Sequence, residues 1–362
     1  MKLKTTFVFF SIIVVIGVAA IPLAQNADAE SLIPDWIKNN AGWWADGSID
    51  DTTFLTGIEF LVKNEIINVS SESKSIDVDK ITIGFIPVEK ADELTSKAQA
   101  LEEFLENKIG VDVEIVIPTN YETIIEGMRF GHIDAAFMDT GPAWITHQRT
   151  GAEVVLAELV AGKVNYQATV WTLADNDSIN SLEDTVGKRV AFTSITGSSG
   201  FVRPMGTLVT EGYIDIAGDD IVALYSALEN NFESYTFTGG YKTALKLLLE
   251  GKVDVAFGSD IAPKKYLDLN DQAKLRPVTT IGSVPSHVFI VNANMSESTK
   301  DVLVDALIEL NYDENNSILM NLYGAEALVP TTTTMHIGDF GTYIDVLTGL
   351  DQLIIDKYNK SK

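Results

Sequence analysis

Residues Thr193-Ser194-Ile195-Thr196-Gly197-Ser198-Ser199-Gly200 place hydroxyl groups and flexible backbone directly behind the apolar run Arg189-Val190-Ala191-Phe192. The run reads as a short buried strand. From Phe201 to Gly212, apolar residues at Phe201, Val202, Met205, Leu208 and Val209, with Pro204 near the start, read as a helix. A helix start leaves its first N–H groups unpaired and carries the positive end of the macrodipole, so a Ser/Thr/Gly loop there can cradle a tetrahedral anion without a cationic side chain. The same eight residues also suit an ordinary serine-rich cap, so the loop alone leaves both readings open.

Composition narrows the classes. The chain has 362 residues, 46% hydrophobic and 21% charged, a globular make-up that fits about two to three domains. A formal charge of −25 argues against nucleic acid or an anionic membrane surface as partner. Without cysteine there is no disulfide, thiolate metal site or thiol nucleophile. The histidines, His132, His147, His287 and His336, give no nucleophile–base signature, although Ser199 and His287 could pair in principle. Adjacent tyrosines suited to iron are lacking. Binding is therefore expected, not catalysis, with no metal and no cofactor.

Lys2 and Lys4 precede an apolar run from Phe7 to about Ala24, and Ala27-Asp28-Ala29 supplies the small residues of a cleavage site. Residues 1–29 read as an export signal, with cleavage and retention as an anchor both open. Sequons at Asn68, Asn176, Asn294 and Asn315 are compatible with an exported, extracytoplasmic or cell-surface location. Residues 30–69 form a separate small unit: Pro34, Trp36, Ile37, Ala41 and Trp44 suggest one amphipathic helix, and Phe54, Leu55, Ile58, Leu61 and Val62 a second. This predicts a tryptophan-rich helical hairpin, and it resembles a module near the N-termini of exported archaeal proteins. Residues 70–80 read as a solvated linker.

From Ile81 strands and helices alternate. Ile81–Ile86, Val111–Ile117 and Ile133–Met138 read as strands, with helices over Ala91–Ile109 and Tyr121–Phe130. A second series runs from Val190 through Gly200–Gly212, Ile221–Ser226, Tyr241–Leu249 and Val253–Phe257, with Ile221–Ser226 in the place of the middle strand. Gly131-His132-Ile133-Asp134-Ala135-Ala136-Phe137 is echoed by Gly251-Lys252-Val253-Asp254-Val255-Ala256-Phe257. The order predicts two similar α/β lobes with a ligand cleft between the C-terminal ends of their sheets.

The motif Pro118-Thr119-Asn120-Tyr121-Glu122-Thr123-Ile124-Ile125-Glu126-Gly127-Met128-Arg129-Phe130, the Asp134 strand, the Thr196–Gly200 loop with Pro204, and Val253-Asp254-Val255-Ala256 together resemble the phosphonate and phosphite solute-binding proteins of ABC transporters. The resemblance covers roughly Ile81 to Asp351. It implies a two-lobed type II periplasmic-binding-protein fold over 81–362, one lobe about 81–173 and 284–362, the other about 174–283. Hinge crossings are expected near Thr172–Asn176 and Ile281–Ser286. It also implies capture of a small phosphorus oxyanion for an ABC permease, by a chain expected to be a monomer; a sensor, or a binder of another anion such as a sulfonate, is the alternative.

The same resemblance implies that Tyr121 and Tyr166 contribute to the anion pocket and that Ser198 and Ser199 keep the family's hydroxyl cradle. Thr196 would supply the donor lost where the first serine has become Gly197. Relatives that bind aminoethylphosphonate carry a His-Glu pair where this chain has Tyr241-Lys242, and acidic residues near Ile261 and where it has Val284-Pro285-Ser286-His287. Tyr241 and His287 therefore join the expected site. An ammonium in a partly buried pocket needs carboxylates. The departures favour phosphite, phosphate or methylphosphonate.

Overall fold

The computed structural model describes residues 76–85, 91–312 and 314–356, together with Trp44, Phe54 and Ile58. The chain divides into two compact units, Met1–Glu72 and Ser73–Lys362. In the first, Trp44 stacks on Phe54 with ring centroids 4.9 Å apart; the export signal and the remainder of the expected hairpin lie outside the described residues. Among the described residues no helix is long and apolar enough to cross a membrane.

The second unit holds two sheets. Strands β1 (Lys80–Phe85), β2 (Asp112–Val116), β3 (Ala135–Met138), β4 (Glu153–Leu159), β10 (Val288–Val291) and β11 (Ala327–Pro330) form one, in the order β11-β4-β10-β3-β1-β2. The other contains β5 (Asn165–Leu173), β6 (Arg189–Phe192), β7 (Ser234–Phe237), β8 (Val255–Ser259) and β9 (Leu275–Pro285), ordered β7-β6-β8-β5-β9. The order repeats. In each lobe a first strand lies between its two parallel partners, and an antiparallel strand follows, so β2-β1-β3-β10 corresponds to β7-β6-β8-β5.

The echoed aspartates explain why both lobes begin alike. Asp134 accepts the N–H of Thr82 at 2.8 Å and its own N–H returns to Thr82 O; Asp254 does the same with Arg189 and adds ion pairing to the guanidinium. Each carboxylate fixes the register between the first and third strands. The glycines opening the two motifs, Gly131 and Gly251, take left-handed φ of 71° and 66°, as helix-ending glycines do.

The helices that position the site are α1 (Ala91–Ile109), α2 (Tyr121–Arg129), α3 (Thr140–Thr150), α4 (Arg203–Thr210), α5 (Ile221–Asn231), α6 (Tyr241–Leu249), α7 (Glu297–Ile308), α8 (Asn316–Tyr323), α9 (Asp339–Asp345) and α10 (Leu350–Ile355). Ile221–Ser226 is helical and not a strand. Asp220 caps it by accepting the N–H of Ala223 at 2.9 Å, and Leu224, Ala227 and Leu228 form its buried face. The middle strand of this lobe is Ser234–Phe237. A short apolar run carries no period of its own, and here the cap decided for helix.

The chain changes sheets between Leu159 and Asn165, and again at Ser286–His287 between β9 and β10. The first crossing thus precedes the expected Thr172–Asn176, which lies at and beyond the opposite end of β5. At the earlier crossing the Glu326 carboxylate accepts the N–H groups of Ala161 and Gly162, a turn in which both have positive φ. The second crossing falls where the sequence predicts.

Helices α9 and α10 pack against both lobes. Trp144 of α3 donates to Asp345 at 2.8 Å and Arg149 to Asp351 at 3.0 Å, while Thr348 donates to Gly218 O. Arg203, 8% exposed, lies with its guanidinium 4.2 Å from the Tyr343 ring and 2.6 Å from Asp339. The backbone at Gly282 of β9 closes the far side of that guanidinium: φ is +140°, and a Cβ there would stand 2.3 Å from Arg203 Nη2. Gly282→Ala is expected to lower the unfolding free energy by about 1–3 kcal/mol, from backbone strain and displacement of the buried guanidinium. Denaturant titration would show it, and an unchanged midpoint would contradict this account.

Candidate functional site

The anion cradle expected from sequence begins one turn before α4. After β6, the chain turns through Ser194–Gly197, and Ser198–Val202 forms a wide π-helical turn leading into α4. Phe201 and Val202 donate the first helical bonds, both to Gly197 O at 2.9 and 3.0 Å, so the amides of Ser198, Ser199 and Gly200 precede the bonded ladder. Gly200 passes so close to Thr193 that a Cβ would stand 2.0 Å from its Oγ1. That approach requires glycine.

Hydroxyls from three elements converge on this turn. Ser199, fully buried, is 2.8 Å from the Tyr241 hydroxyl at the first position of α6. Tyr166, on hinge strand β5, shares hydrogen bonding with both Ser199 and Tyr241; burial, and secondarily Tyr241, raises its phenol far above the ordinary range. Tyr166 is therefore neutral. Tyr241 is held in place by stacking on Tyr266 and by contact with Gly258 of β8. Thr196 and Ser198 are half-buried on the same turn.

The first lobe contributes His287 and two residues that sequence reasoning missed. His287 Nε2 is 3.3 Å from Asp139 Oδ1, and its Nδ1 is 3.6 Å from Glu158 Oε2. Asp139 follows the C-terminal end of β3, and Glu158 nears the end of β4. Hinge bonds position the imidazole: Glu158 N–H donates to His287 O, Ser286 Oγ donates to Glu158 O at 2.6 Å, and Thr140 Oγ1 reaches Pro285 O and Ser286 O. Lone carboxylates on a strand end and a helix start carry no motif. Only the antiparallel pairing of β10 with β3 on one side and β4 on the other brings them to His287.

Tyr121 is 1% exposed, packed in the apolar core at the start of α2 with Ile124, Ile125 and Met128. Its side chain contributes packing there. Asn120, beside it, caps α2 by accepting the N–H of Thr123 at 2.9 Å. Asp260, the carboxylate nearest Ile261, accepts the N–H of Gln167 and so ties β8 to β5. A hollow of about 820 Å³ between the end of β2 and α2, lined by Val116, Asn120, Thr123 and Phe130, shares no residue with the Ser199 cluster.

Residues 83–335 match the family model for the periplasmic substrate-binding protein of phosphonate ABC transporters. The chain belongs to this family. It is similar to a phosphate-import protein of Mycolicibacterium smegmatis, 30% identical over 62% of this chain and 70% of that protein. A phosphonates-binding periplasmic protein of Escherichia coli is 27% identical over 62% of this chain and 64% of its own length. In fold it resembles a Xanthomonas citri protein solved with chloride (TM-score 0.58, 18% identity, covering 75% of this chain and 99% of that one). The family's members are solute-binding components of importers, not enzymes. The two-lobed fold is the one the sequence predicts.

Glu158 is 3% exposed, and its Oε1 has no hydrogen-bond partner. Burial, opposed by His287 and reinforced by Asp139, pushes its carboxyl from 4.5 up to about 7. Between these values the folded chain keeps a proton that the unfolded chain releases, so stability falls as pH rises through that window. At about 1.4 kcal/mol per unit the loss is roughly 3 kcal/mol, complete above the upper value. Glu158→Gln should abolish this fall, leaving the variant relatively more stable at pH 8 and equal at pH 4.5. Chemical denaturation across that range checks it; parallel curves would refute it.

Proposed function

We propose that the chain captures a small phosphorus oxyanion without a cationic group, such as phosphite, phosphate or methylphosphonate, and delivers it to an ABC permease. The observation that carries the reading is the convergence of Ser199, Tyr241 and Tyr166 hydroxyls on the amides that open the α4 turn. These are donors aimed at one place by three separate elements. Ser198 and Thr196, on the same loop, complete a donor set suited to a tetrahedral anion. Lys242 is exposed at the start of α6, beside Tyr241, and its charge disfavours an ammonium-bearing ligand there.

Residues 1–29 direct export in this reading. Closure of the two lobes about β5 and β9 completes the anion's shell, since donors come from the second lobe and His287 from the first. The bound chain works as a monomer.

Isothermal titration of the full chain, stripped of ligand, with phosphite, phosphate, methylphosphonate and aminoethylphosphonate tests this reading. Micromolar or tighter binding of at least one of the first three, with aminoethylphosphonate weaker, is expected. Replacing Ser198 and Ser199 together by Ala removes hydrogen bonds to a charged group worth about 1.5–3 kcal/mol each. Affinity should fall at least about tenfold while the melting temperature of the empty protein changes little. Unchanged affinity would reduce the loop to a helix cap.

A further inference from the structure

We propose that Asp139 is the specificity-determining acceptor of the cleft: it takes a hydrogen bond from a proton carried by the bound phosphorus oxyanion, so the chain selects protonated oxyanions and refuses sulfate. The inference rests on the phosphorus-oxyanion reading above. It adds a residue and a rule of selection.

Asp139 occupies the N-cap position of α3, yet its carboxylate makes no capping bond to that helix. It turns instead to His287, at 3.3 Å. Behind the imidazole lies Glu158, nine-tenths buried and more, with Oε2 3.6 Å from Nδ1 and Oε1 unpartnered. A carboxylate buried at the base of the pocket and an imidazole anchored by hinge backbone bonds thus fix where Asp139 points. Asp139 is 16% exposed, so a ligand in the cleft can reach it. Thr140, the next residue, donates to Pro285 O of β9, and Pro285 and Val284 face Asn165 and Tyr166 across the ladder, which sets Asp139 at the same hinge end as Tyr166 and its neighbour Ser199.

The donors and this acceptor are chemically unequal. Ser198, Ser199, Tyr166, Tyr241 and the turn amides satisfy ionised oxygens. A carboxylate facing the same ligand repels an ionised oxygen and attracts it only when a proton lies between the two. Phosphate, and methylphosphonate as its monoanion, bring such a proton; sulfate at neutral pH has none to give. The titratable groups around Asp139 include His287, Glu158 and Tyr166, with His336 behind them on Ser286 O. Of these His287 and His336 are the groups able to carry positive charge; His287 is shared between Asp139 and Glu158, and His336 is turned to the Ser286 carbonyl.

The test is isothermal titration of the wild-type full chain and Asp139→Asn with phosphate, methylphosphonate, sulfate and aminoethylphosphonate, at neutral pH and above the second ionisation of methylphosphonate. The wild type should favour the phosphorus ligands over sulfate by at least about 100-fold, and Asp139→Asn, which can donate, should bring the ratio below about tenfold. Wild-type affinity for methylphosphonate should fall as that ligand loses its last proton, while phosphate, which keeps one, holds. The variant should lose this contrast. An unchanged ratio and pH contrast in Asp139→Asn would overturn the inference and leave the oxyanion reading intact. So would loss of aminoethylphosphonate binding alone, which would make Asp139 an ammonium partner. Failure of the wild type to bind any of these anions would remove the oxyanion reading and this inference with it.

Discussion

The antiparallel pairing of β5 with β9 is the constraint on which the cleft depends. Both strands belong to the second lobe's sheet, yet β5 enters from the first lobe and β9 returns to it. Their shared ends, where Asn165 faces Pro285 and Tyr166 faces Val284, must therefore lie at the boundary. Backbone hydrogen bonds hold that register with a modest net stabilisation per bond, and a slip by one residue would turn Tyr166 to the other face. From this ladder follows the position of Tyr166 beside Ser199, and the pairing of β10 with β3 just beyond it sets His287 beside Asp139.

Around the ladder, buried polar groups are matched to specific neighbours. Ser199 and Tyr241 bond each other, Thr140 bonds the carbonyls at the end of β9, and Asp134 and Asp254 bond the opening strands of the two lobes. Among the described residues, three groups on or beside the hinge strands depart from that economy. Glu158 Oε1, Arg203 Nε and Thr169 Oγ1 are buried without hydrogen-bond partners, the first under His287, the second between Gly282 and Tyr343 and the third on β5 itself. Desolvated charge is costly, and such groups concentrate where a protein must discriminate or move.

Arg203 also links parts that the chain keeps far apart. It begins α4, directly after the cradle, and reaches Asp339 and Tyr343 of α9. Helix α9 in turn packs on α3, where Gly341 receives Trp144, and α3 starts at Asp139. The Ser199 turn and the Asp139–His287 pair are thus joined through this packing as well as through the hinge. Movement of one lobe against the other must be accommodated at this C-terminal packing.

Sequence alone determined the parts whose information is local. Ala91–Ile109 and the Tyr241 helix follow from apolar spacing, the turn before α4 from a Ser/Gly loop between a strand and a helix, and the two lobes from a repeated Gly-x-x-Asp strand motif. The family's fold and its oxyanion chemistry were legible from those motifs together. Tertiary structure decided what depends on pairing across long separations. Ile221–Ser226 was read in a strand's place because a five-residue apolar run has no distinctive period, and only its cap and the β6–β7 pairing show the helix. The first hinge crossing, the burial of Tyr121, and the meeting of Asp139, Glu158 and His287 were likewise invisible. Register between strands more than a hundred residues apart is fixed by the hydrogen-bond ladder and the packing of whole sheets, and no spacing within the chain encodes it.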